Sequence, residues 1–246
     1  MLGNNGAGKS TILRGIALSI LTPVIESAGY VPNSMVRRER GAFADAAKVS
    51  ARLRLHAQDM EPKKAPPKES VELTSCIVRR KTTEFLQAGE SGKADLWEGM
   101  FDDRSPAFLL VGYGATRRVE SSDNYDSSAR RKVRHLRYQR VSSLFEEHVS
   151  LTPLAAWLPR LQHENKGRWT QVVNLIDRLL PAPFSFQGEF FEGEYLFLQD
   201  GAKVAFPALS DGYKAYLGWI TDLLYHVCMG CPSGKTDRQP RRRFGR

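Results

Sequence analysis

The stretch that decides the fold is Gly3-Asn4-Asn5-Gly6-Ala7-Gly8-Lys9-Ser10-Thr11, which fits the pattern G-x-x-x-x-G-K-[ST] and stands almost at the first residue. Glycines let the backbone take positive φ and turn its N–H groups inward around an anion, while a helix beginning near Lys9 points its positive dipole end at the same place. Phosphate is the natural occupant. Lys9 has the reach to meet the β- and γ-phosphates of a nucleoside triphosphate, Ser10 to ligate a bridging Mg²⁺, and Thr11 to add an α-phosphate contact. Such a loop joins a buried strand to a helix. The helix is legible in Ile12, Leu13, Ile16, Ala17 and Ile20, which recur at helical spacing, whereas the strand is represented by Met1 and Leu2 alone.

Composition bounds the rest. The 246 residues, 41% hydrophobic and 26% charged, suffice for one sizeable core or a core with a subdomain. No apolar run approaches the roughly 18 residues of a membrane span, and no signal-peptide pattern opens the chain, so a cytoplasmic protein with no membrane partner is expected. The cysteines Cys76, Cys228 and Cys231 cannot build a disulfide framework, and one C-x-x-C without a second ligand pair is weak evidence for zinc. Of the net charge of +9, five charges lie in residues 232–246, where Lys235, Arg238, Arg241, Arg242, Arg243 and Arg246 face only Asp237. A terminal arginine run binds phosphate backbones without specificity, and it is equally a solvated end; the solvated end is the simpler reading.

The middle of the chain reads as strands first and helices later. Over residues 48–59, Val49, Ala51, Leu53, Leu55 and Ala57 alternate with Ser50, Arg52, Arg54 and His56, the period of a half-buried strand. A second strand is expected over 71–79, and the proline- and lysine-rich residues 61–68 between them read as a loop closing an antiparallel hairpin. Phe108 to Val111 is a continuous apolar run, as in a central parallel strand covered on both faces. It ends in Gly112-Tyr113-Gly114, followed by Arg117 and Arg118: either a nucleotide sensor at the strand's carboxyl end or a glycine turn with solvated arginines. Residues 121–134 are polar and read as a loop.

Helices follow. Thr152 and Pro153 read as the cap and first turn of a helix carrying Leu154, Trp157, Leu158 and Leu161. From Trp169 an apolar stripe of Val172, Val173, Ile176, Leu179 and Leu180 stops at Pro181. A meander is then expected over 184–191, 195–199 and 203–206, with a turn at Asp200-Gly201. Next, Leu209-Ser210-Asp211-Gly212-Tyr213 opens a helix whose apolar positions include Tyr216, Leu217, Ile220, Leu223, Leu224 and Val227. Ser210 or Asp211 can cap that helix, and Gly212 permits close backbone approach.

A phosphate loop with L-S-D-G about two hundred residues downstream resembles the ABC-type ATPases, and within them the AAA-family ATP-binding proteins of the RecF and chromosome-maintenance group. The resemblance also rests on Phe108 to Arg118 and on the helical pair over 143–181, and it covers most of the chain. It implies an α/β P-loop NTPase of ABC-ATPase type, with a mixed sheet, an antiparallel β-subdomain and a helical insertion. One ATPase domain is expected over 1–231: loop and helix over 1–22, β-rich subdomain and core strand over 23–118, helical insertion over 119–181, meander and signature helix over 182–231. A basic tail over 232–246 follows.

The resemblance further implies ATP and Mg²⁺ as cofactors and ATP hydrolysis by the intact family. Gly3, Asn4, Asn5, Gly6, Ala7, Gly8, Lys9, Ser10 and Thr11 are expected to bind ATP in cis, with Ser10 on the metal. Leu209, Ser210, Asp211, Gly212 and Tyr213 are expected to touch the γ-phosphate from the opposite head of a homodimer or of a pair with a related chain. More loosely it implies work on DNA, in repair or defence, with a nuclease as companion.

One part of the pattern is not legible. The Walker B strand, four apolar residues ending in an Asp for Mg²⁺ and a Glu to orient water, is expected soon after the signature helix and has no match. Leu175-Ile176-Asp177 falls in a helical stripe and Leu196 to Asp200 ends in a hairpin turn. The sequence therefore reads as truncated before Walker B, with an incomplete central sheet and no assigned catalytic residue. The alternatives are a non-hydrolysing nucleotide-binding or scaffold subunit completed by a partner, and a P-loop kinase that shares only the phosphate loop.

Overall fold

The computed structural model describes residues 4, 6–54, 70–88, 101, 108–115, 118–119 and 135–230, which divide between two compact units, Met1–Leu151 and Thr152–Arg246. The loops expected over 61–68 and 121–134, the tail over 232–246, and Gly3, Asn5, Arg117 and Cys231 lie outside the described residues. The chain is mixed α/β. Its described strands form two three-stranded antiparallel sheets and two short pairs.

In the first unit, helix α1 (Lys9–Ser27) follows the glycine loop. The pair β1 (Arg38–Glu39) and β2 (Ala42–Phe43) comes next, then the meander β3 (Ala46–Leu53), β4 (Val71–Arg80) and β5 (Thr83–Ala88). The expected hairpin is β3 and β4, paired from Ala46 with Val78 to Leu53 with Val71. Alternation fixes its faces: Val71, Leu73, Ser75 and Ile77 point inward from β4, and Leu86 joins them from β5, while Thr74 and Ser50 meet at 2.9 Å on the outside. The third strand, β5, carries no strong apolar alternation, which is why the sequence reading stops at two strands.

Helix α1 packs across all three strands. Its buried apolar side chains are Ala17, Leu18, Leu21, Val24 and Ile25, a register displaced toward the C-terminus from the expected stripe; Ile12, Leu13 and Ile16 are exposed. The sheet covers only the later turns. The Leu18 carbonyl accepts from Ser75 Oγ at 3.0 Å and from Thr22 Oγ1, tying helix to sheet. Pro23 cannot donate to the helix, which bends at Leu21 (φ −114°). Among the described residues α1 is the one helix long and apolar enough to cross a bilayer, contrary to the expectation that no such run exists. Leu21, Val24 and Ile25 in its later turns are buried against the sheet, as in a core helix.

Phe108 to Val111 is not a strand. Phe108 has φ 55°, Leu109 is exposed, and Phe108 and Leu110 pack on the core from an irregular segment. That segment then runs hard against the 3-10 turn Ser142–Leu144: Gly112 N–H donates to the Arg140 carbonyl at 2.9 Å and Gly114 N–H to Ser143 Oγ. A Cβ at Gly114 would come within 2.0 Å of the Ser143 carbonyl oxygen. Close packing therefore accounts for the glycines around Tyr113. Parallel pairing among the described residues is limited to β6 (Arg118–Val119) with β7 (Ser150–Leu151). The short helix α2 (Leu136–Gln139) precedes the 3-10 turn.

The second unit follows its sequence closely. Pro153 leads into a 3-10 turn, Leu154–Ala156, and Trp157 (φ −134°) breaks the expected single helix before α3 (Leu158–Glu164). Thr152 does not cap a helix with its side chain; its N–H donates to Asp222 Oδ1 at 2.7 Å. Helix α4 (Lys166–Leu179) starts three residues before Trp169 because Asn165 accepts from the Arg168 N–H at 3.0 Å. Val172, Val173 and Ile176 face inward, while Leu179 is exposed.

The expected meander is β8 (Phe184–Phe191), β9 (Glu194–Gln199) and β10 (Ala202–Ala205), with Asp200 (φ 50°) and Gly201 (φ 83°) in the turn. A register shift between Phe186 and Glu189 brings Gly188 (φ 74°) onto the helix face, where a Cβ would lie 2.7 Å from the Trp169 ring. Helix α5 (Asp211–Gly230) completes the unit.

Candidate functional site

The glycine loop is built by its backbone. Ala7 N–H donates to the Asn4 carbonyl at 3.2 Å, Gly6 has φ 82°, and Gly8 (φ 75°, ψ 12°) takes the left-handed conformation as the residue before α1. An L-residue is strained at both positions, so these glycines are required by conformation. The Gly8 carbonyl takes the first helical bond, from Ile12 N–H at 3.0 Å. Helix α1 therefore starts without a side-chain cap and with no acidic residue in its first turn. The positive end of its dipole faces an exposed loop.

Lys9 Nζ donates to the Asn4 carbonyl at 2.7 Å, which folds the ammonium back over the loop. Ser10 and Thr11 are exposed in the first turn. These groups fit a polyphosphate and its metal: a cation and backbone dipole for the phosphates, and a hydroxyl for Mg²⁺. Asn4, Gly6, Ala7, Gly8, Lys9, Ser10 and Thr11 are thus brought together, while Gly3 and Asn5 lie outside the described residues.

The second predicted segment lies in the other unit. Leu209 is buried and anchors the turn, and the Ser210 carbonyl accepts from Lys214 N–H at 2.9 Å, which puts Ser210 at the N-cap position of α5. Asp211 is fully exposed and meets Lys214 Nζ at 2.9 Å. Gly212 has an ordinary φ, and a Cβ there would meet nothing within 4 Å. Neither conformation nor packing asks for glycine at this position.

Tyr213 packs on Phe184 with ring centroids 4.3 Å apart, and the Tyr216 hydroxyl donates to the Leu179 carbonyl. Pro181, Ser210, Gly212, Tyr213 and Tyr216 line a shallow hollow of about 300 Å³ at the head of the helix.

The two rejected Walker B stretches are structural. Asp177 sits in α4 and accepts from Phe186 N–H at 2.7 Å, joining helix to meander, and Asp200 turns the β9–β10 hairpin. No group of three or more His, Cys, Asp or Glu is gathered for a metal among the described residues.

Sequence reasoning missed a charged cavity at the end of the first meander, where Arg38, Arg79 and Glu84 converge. The signal was present as two basic runs, Arg37-Arg38 and Arg79-Arg80-Lys81, flanking the paired ends Ala46 and Val78 of one hairpin. Comparison with protein-family models gives no match to this chain, and comparison with curated proteins gives none either.

Proposed function

We propose that the chain binds ATP with Mg²⁺ through Gly3 to Thr11, as an ATPase head of the ABC-type, AAA-family kind. The observation that carries this reading is the start of α1: a left-handed Gly8 turns an exposed glycine loop into a helix whose first turn holds Lys9 and Ser10 and no acidic side chain. That combination favours a polyanion by dipole, charge and backbone direction at once. Lys9 would hold the β- and γ-phosphates and Ser10 the Mg²⁺, while the loop N–H groups orient the chain of phosphates. Bound Mg²⁺ supplies charge neutralisation at the phosphoryl oxygens.

Ser210 and Gly212 would meet the γ-phosphate of a nucleotide held by a second head, another copy of this chain or a related one. Support comes from Gly212, whose open surroundings leave its missing side chain without a reason inside the fold. ATP hydrolysis coupled to work on DNA, with a nuclease companion and a cytoplasmic setting, extends the same reading.

Titration of a fluorescent ATP analogue tests its core. Lys9→Ala is expected to weaken binding about tenfold or more, the effect of losing a charge-assisted contact. Equal affinity of the two proteins would sink the proposal. Binding without turnover would instead identify a nucleotide-binding subunit that does not hydrolyse.

A further inference from the structure

The charged cavity of the first unit is separate from the glycine loop in its residues and in its chemistry. Val31, Pro32, Asn33, Arg38, Arg79, Thr82, Thr83 and Glu84 line a space of about 320 Å³ between the segment entering β1 and the β4–β5 turn. The size suits a small molecule.

Its charged groups are ordered by one another. The Glu84 carboxylate is 2% exposed and accepts from the Met35 N–H at 2.8 Å and the Val36 N–H at 3.3 Å, and it stands 3.7 Å from Arg79 Nη1. It is committed to the fold on three sides. The Arg79 guanidinium in turn lies over the Phe43 ring, with its carbon 3.6 Å from the centroid. Arg38 approaches the same ring at 5.1 Å, and its Nη2 donates to Ser34 Oγ at 2.9 Å. Two guanidinium groups are therefore held around one aromatic ring.

The cavity wall has more positive charge than it neutralises. Arg38 and Arg79 face the single carboxylate of Glu84, and among the described residues no carboxylate lies within ion-pair distance of Arg38. Gathering two like charges in one cavity is unfavourable unless an anion offsets it. Their preorganisation by Phe43 and Glu84 lowers the ordering cost of binding one.

We propose that this cavity binds the phosphate group of a small phosphate monoester. A planar carboxylate is satisfied edge-on by one guanidinium, whereas a tetrahedral dianion offers oxygens to donors on several sides. Here two arginines line the space together with Thr82, Thr83 and Asn33, residues whose polar groups can serve such oxygens. Val31 and Pro32 provide an apolar wall for the rest of the molecule. The ligand's charge completes the pairing that Glu84 begins.

The experiment is calorimetric titration of the full chain with glycerol 3-phosphate, with glycerol as the uncharged control and a short single-stranded oligonucleotide as the polymeric one. Glycerol 3-phosphate binding is expected, unchanged in Lys9→Ala and weakened about tenfold or more in Arg38→Gln, an exposed substitution that leaves Glu84 and Arg79 in place. Thermal unfolding of Arg38→Gln without ligand should match that of the parent, which separates lost binding from lost folding. No binding, binding that Arg38→Gln leaves intact, or binding that Lys9→Ala removes would overturn the assignment. So would oligonucleotide binding that depends on Arg38 while glycerol 3-phosphate shows none. Because Lys9→Ala reports on the glycine loop alone, failure of this proposal and failure of the ATP reading are distinguishable.

Discussion

The interiors of the two units are built on different principles. The second is aromatic: Trp157, Phe186, Tyr195, Phe197 and Tyr225 are buried together, Phe186 and Phe197 stack with centroids 4.9 Å apart, and Trp157 meets Tyr225 at 5.9 Å. The first is aliphatic and ionic. Around Leu18, Leu21, Ile25, Leu73 and Ile77 it buries Glu84, Arg137 and Arg140, and the Tyr138 hydroxyl donates to Glu146. Contact area dominates the second unit, where buried Asp222, accepting from Thr152 N–H at 2.7 Å with His226 Nε2 3.4 Å away, is set among the aromatic rings. In the first, directional bonds are joined to a cavity: Glu84 reaches back nearly fifty positions to Met35 and Val36 and stands 3.7 Å from Arg79. Buried charge needs partners on every side, as Glu84 finds in Met35, Val36 and Arg79.

The largest expected effects set one residue from each interior against the other. Phe197→Ala removes a fully buried ring from the aromatic cluster and should cost about 3–5 kcal/mol. Glu84→Ala leaves the buried Val36 N–H, the part-buried Met35 N–H and Arg79 without their acceptor and should cost about 3 kcal/mol or more, whereas Glu84→Gln, which keeps an acceptor oxygen, should cost less. Urea denaturation gives the totals, and peptide-level hydrogen exchange shows which unit loosens. A Glu84→Ala cost below about 1 kcal/mol would break the comparison, since the ionic interior would then be ornament on an aliphatic one.

The same difference decides what the sequence reveals. Residues 152–230 are nearly readable in full, because the α4 stripe, the Asp200-Gly201 turn and the Leu209 to Tyr213 helix start are local patterns that tertiary contacts reinforce. The break at Trp157, the role of Thr152, the exposure of Leu179 and the register shift before Glu189 escape, since each depends on contacts beyond the local pattern. In the first unit the β3–β4 hairpin is legible from its alternation, but other local patterns mislead. The apolar run of Phe108 to Val111 scores as a buried strand, yet Gly112 and Gly114 bind it to the turn at Ser142–Leu144 some thirty residues on. Ile12, Leu13 and Ile16 look like the core face of α1 because periodicity says that one face is apolar, not which turns the sheet covers.

The candidate site divides in the same way. The glycine loop is a contiguous motif and is legible. The Arg38–Arg79–Glu84 cavity joins the segment entering β1 to the β4–β5 hairpin, and it emerges only when the fold brings the two together.

A smaller effect sharpens the contrast through pH. Burial pushes the Tyr195 hydroxyl up to about 12, with the Trp169 indole N–H pulling slightly the other way. Tyr30 in the first unit is also raised, chiefly by burial, with Arg14 opposing and Glu84 and Glu146 reinforcing. In both cases the folded state prefers the neutral phenol. Their contribution is complete below the unfolded value of about 10 and disappears as pH rises through the folded value, so for Tyr195 the loss falls between pH 10 and about 12. Tyr195→Phe should flatten the pH dependence of unfolding in that window for the second unit and leave the first unit's slope in place. An unchanged slope in hydrogen exchange of residues 152–230 would mean that the aromatic interior admits the phenolate after all.

The smallest effect on stability carries the most information about function. At Gly188 the fold demands glycine, by positive φ and by the Trp169 ring 2.7 Å from a Cβ; at Gly212, in the same unit, it demands nothing. Alanine in the first turn of a helix is favourable by up to about 1 kcal/mol relative to glycine, so Gly212→Ala should fold as well as the parent or slightly better. If the turn after Leu209 is a place where a phosphate must approach the helix backbone, the added methyl group blocks that approach and nothing else. Sedimentation with ATP and Mg²⁺ should then show loss of nucleotide-dependent association, while binding of the fluorescent analogue at the Lys9 loop stays within about twofold, since that loop shares no residue with the turn. Association that survives Gly212→Ala would leave Ser210 to Tyr213 as a helix start alone. The glycine loop would then stand as a nucleotide site that does not require a second head.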